Sequence, residues 1–85
     1  MPKFTYPVVF ILNSGTDEYF GFIPDLGILA RADKLEDAYA QAESELFEYF
    51  KIAVQDDMLY PPPSSLGETI KKWDGYKVSL LSAVV

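Results

Sequence analysis

Cysteine and histidine are both absent from this 85-residue sequence. Without cysteine there is neither a disulfide framework nor a thiolate metal site. Without histidine the usual general base near neutral pH and the commonest metal ligand are missing. Basic residues are scarce: one arginine, Arg31, and six lysines stand against thirteen acids, for a net charge of −6. A domain that binds DNA or RNA shows a basic face to the phosphates. Direct nucleic-acid binding is therefore not expected, and a basic protein is the better electrostatic match. No segment approaches the roughly 20 apolar residues that span a bilayer. The opening run MPKFTYPVVFIL lacks the apolar core and small-residue cleavage site of a signal peptide. The expectation is a cytoplasmic protein without membrane contact.

What the chain does have is apolar mass. Hydrophobic residues make up 49% and aromatics 15% of it, too much for a disordered chain. The length fits one domain, residues 1–85. A domain this small buries only about 60% of the surface its unfolded chain exposes. Association into a dimer or tetramer is a common source of the missing stability, and a homo-oligomer is expected.

Phe4 to Leu12 (FTYPVVFIL) is β-branched and aromatic and reads as a strand, with Pro7 best placed at an edge or the start of pairing. Asn13 to Asp17 (NSGTD) is a turn. Glu18 to Ile23 is a second strand in which Gly21 allows a bulge or a close approach. Pro24-Asp25-Leu26-Gly27 breaks it, and Ile28 to Ala32 is a short third strand. Asp33 and Glu36 have capping-box spacing. Behind them Leu35, Ala38, Tyr39, Ala42, Leu46, Tyr49, Phe50 and Ala53 recur at helical steps, which predicts a helix from Lys34 to Val54. Phe47 and Ile52 fall off that stripe and hint at a second covered surface on the helix. After Pro61-Pro62-Pro63, Ser64 or Ser65 can cap a short helical turn over Leu66 to Lys72. Trp73-Asp74-Gly75 is a turn, and Tyr76 to Val85 a last strand.

The fold class is α+β: one β-β-β-α-β domain, a three-stranded antiparallel meander plus a fourth strand returned by one helix. The return is expected to place that strand parallel to one of the first three through a right-handed crossover. Both faces of the first and last strands are largely apolar. One helix covers one face, so the other needs a cover: a second chain, which is the favoured reading, or the Met58 to Trp73 segment folding back.

Several runs, in order, carry a family resemblance. They are Tyr6-Pro7-Val8-Val9-Phe10, Glu18-Tyr19-Phe20-Gly21-Phe22, Ile23-Pro24-Asp25-Leu26-Gly27, Lys34-Leu35-Glu36-Asp37-Ala38 and Tyr60-Pro61-Pro62-Pro63-Ser64. Their series and spacing resemble the HicB family of antitoxins over nearly the whole chain. The resemblance implies a partial ribonuclease-H-like fold. It also implies a role: binding and neutralising a HicA-like partner, a small basic toxin that cleaves mRNA. Three departures stand out. The loop at Pro24 lacks a second proline, the helix starts with Lys34 where Thr or Ser is usual, and the residues end at Val85. From the last, a DNA-binding segment and its operator binding are expected to be absent.

No enzymatic activity is expected. A ribonuclease H site gathers carboxylates around two metal ions, one of them on the first strand, and Met1 to Leu12 contains no acid. Asp17, Glu18, Asp25 and the pair Asp56-Asp57 read as solvated turn or helix-end residues, so no catalytic, cofactor or metal residue is assigned. For partner binding the candidates are Asp17, Glu18, Tyr19, Phe20 and Asp25, with one of the alternating Tyr19 and Phe20 expected in the core. The second functional reading is a self-associating HicB-like protein with no toxin partner.

Overall fold

A computed structural model describes residues 1–85. Three strands open the chain: β1 (Lys3–Asn13), β2 (Glu18–Ile23) and β3 (Ile28–Ala32). A long helix, α1 (Leu35–Gln55), follows, then a short one, α2 (Leu66–Lys72), and a last strand, β4 (Lys77–Val84). The sheet order is β3-β2-β1-β4. Every neighbouring pair is antiparallel.

The direction of β4 corrects the expected parallel return. α1 carries the chain back to the end of the sheet where β1 starts, since Phe50 meets Phe4 and Tyr6 there. A strand beginning at that point would run beside β1 in the same sense. Instead, residues 56–76 travel the length of the sheet once more. β4 then starts opposite Phe10 and ends opposite Lys3. The stretch includes α2, so it uses up one full strand length and reverses the final strand.

Alternation along the strands divides the side chains between two faces. Tyr6, Val8, Phe10, Ile23, Ala30, Leu81 and Ala83 point to α1 and meet Ala38, Ala42, Leu46, Phe50 and Ala53 from its apolar stripe in one buried cluster. The small residues of α1 let it come close: a Cβ added to Gly21 would lie 3.1 Å from Ala42 Cβ and 3.2 Å from the Ala38 carbonyl oxygen. Gly21 therefore serves close approach, and the unbroken β1–β2 register leaves no bulge there. Pro7 lies in a central strand, yet β2 pairs with β1 only from Val9 onward. Around Pro7, β1 has β4 as its one neighbour, which is how the strand tolerates a residue without an N–H.

Helix starts differ from expectation at one end. α1 begins at an N-cap Lys34 that makes no side-chain cap bond, so Asp33 and Glu36 do not form the predicted box. A serine cap forms on α2 instead. Ser65 Oγ accepts from the Glu68 N–H at 3.1 Å, and its hydroxyl donates to Glu68 Oε1 at 3.0 Å.

The second face is covered in part by the chain itself. Trp73 meets Phe22 edge-on, with ring centroids 5.7 Å apart. Pro7, Val9 and Thr69 are buried. Leu29, Leu80 and Val84 on that face remain about half exposed, as does Ile70 of α2. The favoured expectation of an intermolecular cover is thus replaced, over the middle of the face, by the fold-back of the Ser64 to Trp73 segment.

Candidate protein-interaction surface

The β1–β2 hairpin ends in a tight acidic tip. Asn13 organises it: its side-chain oxygen accepts from the Gly15 N–H and its carbonyl from the Thr16 N–H. Asp17 follows at φ 56°, a left-handed conformation that aspartate tolerates better than most residues. Its side chain is exposed, and Glu18 beside it is half-buried. Tyr19 turns inward and packs against the core under α1, which meets the expectation that one of the alternating pair is core. Phe20 lies on the opposite face across from Ile11 and Arg31, half-buried.

Asp25 sits at the other end of β2. Six strand residues separate the two turns, about 20 Å at the usual rise. The sequence candidates therefore do not form one patch. Asp25 is engaged inside the chain: Oδ2 accepts from the Ser64 N–H at 2.8 Å and Oδ1 from the Ser64 hydroxyl at 2.7 Å. The turn that holds it is closed by the Gly27 N–H donating to the Ile23 carbonyl, with Gly27 at φ 69°. These bonds fasten the proline-rich segment to the sheet just before α2. A polar cleft of about 190 Å³ beside Asp25 is lined by Glu68, Thr69, Lys72 and Trp73.

A second fastening lies on the α1 face. Phe4 stacks on Phe50 at 4.0 Å, and Tyr60 stands edge-on to both, at 5.4 and 5.0 Å. The Tyr6 hydroxyl donates to the Pro61 carbonyl. Burial, then the neighbouring Tyr60 and Tyr49 and lastly Asp25, push the Tyr6 phenol up to about 12.

Two surface features stand out, the first of them not found by the sequence reading. Leu59 is 98% exposed just ahead of the Tyr60 and Pro61 contacts, with Met58 about half exposed beside it. The signal was present in an apolar Met-Leu pair next to Asp56-Asp57. The other feature is the flank of α1. Phe47 and Ile52, expected under a second cover, are 38% and 51% exposed, so no element of this chain covers them. Glu36, Asp37, Glu43 and Glu48 are exposed on the same helix, giving it an acidic outer surface. No group of three or more acids is close enough to hold one metal ion. No helix is long and apolar enough to cross a membrane.

No family model and no curated protein matches the sequence. Solved structures do match its shape. The N-terminal domain of the Burkholderia pseudomallei antitoxin HicB superposes with a TM-score of 0.82 over 96% of this chain and all of that one, at 14% identity. The longer structure of the same antitoxin matches with a TM-score of 0.77 and 15% identity over 92% of this chain, which spans 61% of that one. A chain of the HicA3 and HicB3 toxin–antitoxin complex matches with a TM-score of 0.71 and 17% identity over 96% of this chain and all of that one. The β-β-β-α-β order and the long helix expected from the sequence, together with the all-antiparallel sheet that the structure shows, are thus those of a HicB antitoxin N-terminal domain, and that is the fold of this chain.

Proposed function

We propose that this protein is an antitoxin-type binding module that neutralises a small basic HicA-like mRNA-cleaving toxin by direct contact, without catalysis of its own. The observation that carries the reading is the likeness over 96% of the chain to both a HicB N-terminal domain and a chain of a HicA3–HicB3 complex. Charge supports it. A net −6 on so small a body draws in a basic partner and speeds encounter at low salt.

Contact through the hairpin tip is the proposed mode. Asp17 and Glu18 supply the charge and Phe20 the apolar flank, while Tyr19 holds the strand from beneath. Asp25 serves this surface indirectly, because its carboxylate is occupied by Ser64.

The test is co-expression and pull-down with the small basic protein encoded beside it. Capture and rescue from that protein's toxicity are expected. The double variant D17K/E18K should weaken capture by tenfold or more, about 1.4 kcal/mol or greater. Absence of any toxic basic neighbour that binds would sink the function. Full-strength binding by the charge-reversed variant would sink the tip as its site.

A further inference from the structure

Gly75 sits in a turn that needs it. The Tyr76 N–H donates to the Trp73 carbonyl at 3.1 Å and closes the chain between α2 and β4. Gly75, the third residue of that turn, lies at φ 90°, with nothing within 4 Å of where a Cβ would be. A side chain would fit the space but not the backbone, because positive φ favours glycine. The residue before it is Asp74, exposed like Gly75 itself. The Gly75 N–H makes no hydrogen bond. No other aspartate has such a neighbour. The N–H groups that follow Asp25, Asp37, Asp56 and Asp57 each donate to a backbone carbonyl. Those after Asp17 and Asp33 belong to Glu18 and Lys34, whose side chains crowd the nitrogen. Asn13, the one asparagine, has its side-chain oxygen held by the Gly15 N–H.

We propose that Asp74–Gly75 is a self-modification site, where aspartate converts to isoaspartate and loosens the join of α2 to β4. The reaction needs water alone. The Gly75 nitrogen attacks Asp74 Cγ. The carboxyl O–H group and the amide hydrogen leave together as water, and a cyclic imide forms. Water then opens the ring at either carbonyl. Opening at Cγ restores aspartate. Opening at the backbone carbonyl routes the main chain through Cβ and Cγ and leaves the former backbone carbonyl as a free carboxylate. Composition and charge are unchanged, and the main chain is longer by one methylene. Glycine favours the attack, since no side chain shields its nitrogen. The extra methylene falls inside the turn, so the Trp73–Tyr76 hydrogen bond is lost. Trp73 then shifts from its edge-on seat against Phe22, where its ring now lies 5.7 Å away. The exposed product presents the carboxylate that isoaspartyl methyltransferases esterify, and such an enzyme is the partner class the aged site would take.

The inference stands apart from the toxin reading. To test it, the 85-residue protein is kept for weeks at physiological temperature in mildly acidic buffer. Isoaspartate is counted by methyl transfer from S-adenosylmethionine with a purified isoaspartyl methyltransferase, and placed by electron-transfer fragmentation of peptides. It is expected first at Asp74. Trp73 is the one tryptophan, so its emission reports directly. The isomerised fraction, isolated by reversed-phase chromatography, should emit further to the red than the native protein. D74E keeps the charge and the turn but has to close a larger and slower ring. Its methyl acceptance should fall several-fold, with the circular dichroism spectrum unchanged. D74N loses ammonia in place of water and should react several-fold faster. Unmodified Asp74 after ageing overturns the proposal. So does isoaspartate that appears first at Asn13 or another aspartate, or a D74E protein that accepts methyl groups as fast as the native one. An isomerised fraction with native emission would overturn the loosening of α2.

Discussion

Gly21 is where the sheet and the long helix come closest. Any side chain there meets Ala42 Cβ and the Ala38 carbonyl at 3.1 and 3.2 Å, and backbone cannot move aside as a flexible side chain can. G21A is expected to destabilise by about 1–3 kcal/mol, the usual cost of overpacking a tight core, read as a lower urea midpoint with an unchanged slope. Tyr6 makes a different residue-scale prediction. Its phenol titrates near 10 when unfolded and near 12 in the fold, so the fold prefers the neutral form. The stability this contributes is complete below pH 10 and drains away as pH climbs from 10 to 12. Urea midpoints should fall across that window. The fall should be smaller in Y6F, which also loses about 1–2 kcal/mol at neutral pH by leaving the Pro61 carbonyl unpaired.

At the scale of elements, the Asp25–Ser64 contact decides where α2 lies. Both carboxylate oxygens are spent on one residue, and Trp73 reaches Phe22 only if the segment turns the corner at that point. D25A should loosen α2 and shift tryptophan emission to the red, at a cost of about 1–3 kcal/mol. A variant with unchanged emission would show that α2 is held by its apolar contacts alone.

The elements themselves were largely legible. Runs of β-branched and aromatic residues between turn formers gave the strands, and a stripe of alanines and aromatics gave α1 to within a residue or so. The miss at Lys34 was local. Spacing alone cannot tell whether Asp33 lies at the cap or one residue outside it, and α1, anchored by Leu46 and Phe50, needs no strong cap. The direction of β4 was illegible for a different reason. It depends on how far residues 56–76 travel, and that is fixed by two long-range contacts, Tyr6 with Pro61 and Asp25 with Ser64, which carry no periodic signal.

For the whole molecule, the balance is a small core inside a large acidic surface. Sixteen residues are buried, and the accessible area of 5443 Å² slightly exceeds the roughly 5,100 Å² usual for this mass. Its exposed acids lie at the hairpin tip and along the outside of α1. The proposed contact residues were legible only as residue types. Charge and turn residues marked Asp17 and Glu18, but the same marks on Asp25 belonged to an internal bond, and sequence does not distinguish a carboxylate facing water from one clasping a loop.

The pairing of β1 with β4 has a consequence during synthesis. Lys3 finds its partner in Val84, and Phe10 in Lys77, so the first strand to leave the ribosome waits for the last. Until then the central strand of the sheet has one open side, and Tyr6 and Phe10 lack the strand that pairs beside them. Contacts so distant in sequence form slowly. The nascent chain therefore passes through a sticky, three-stranded interval that ends only when β4 closes the side of β1.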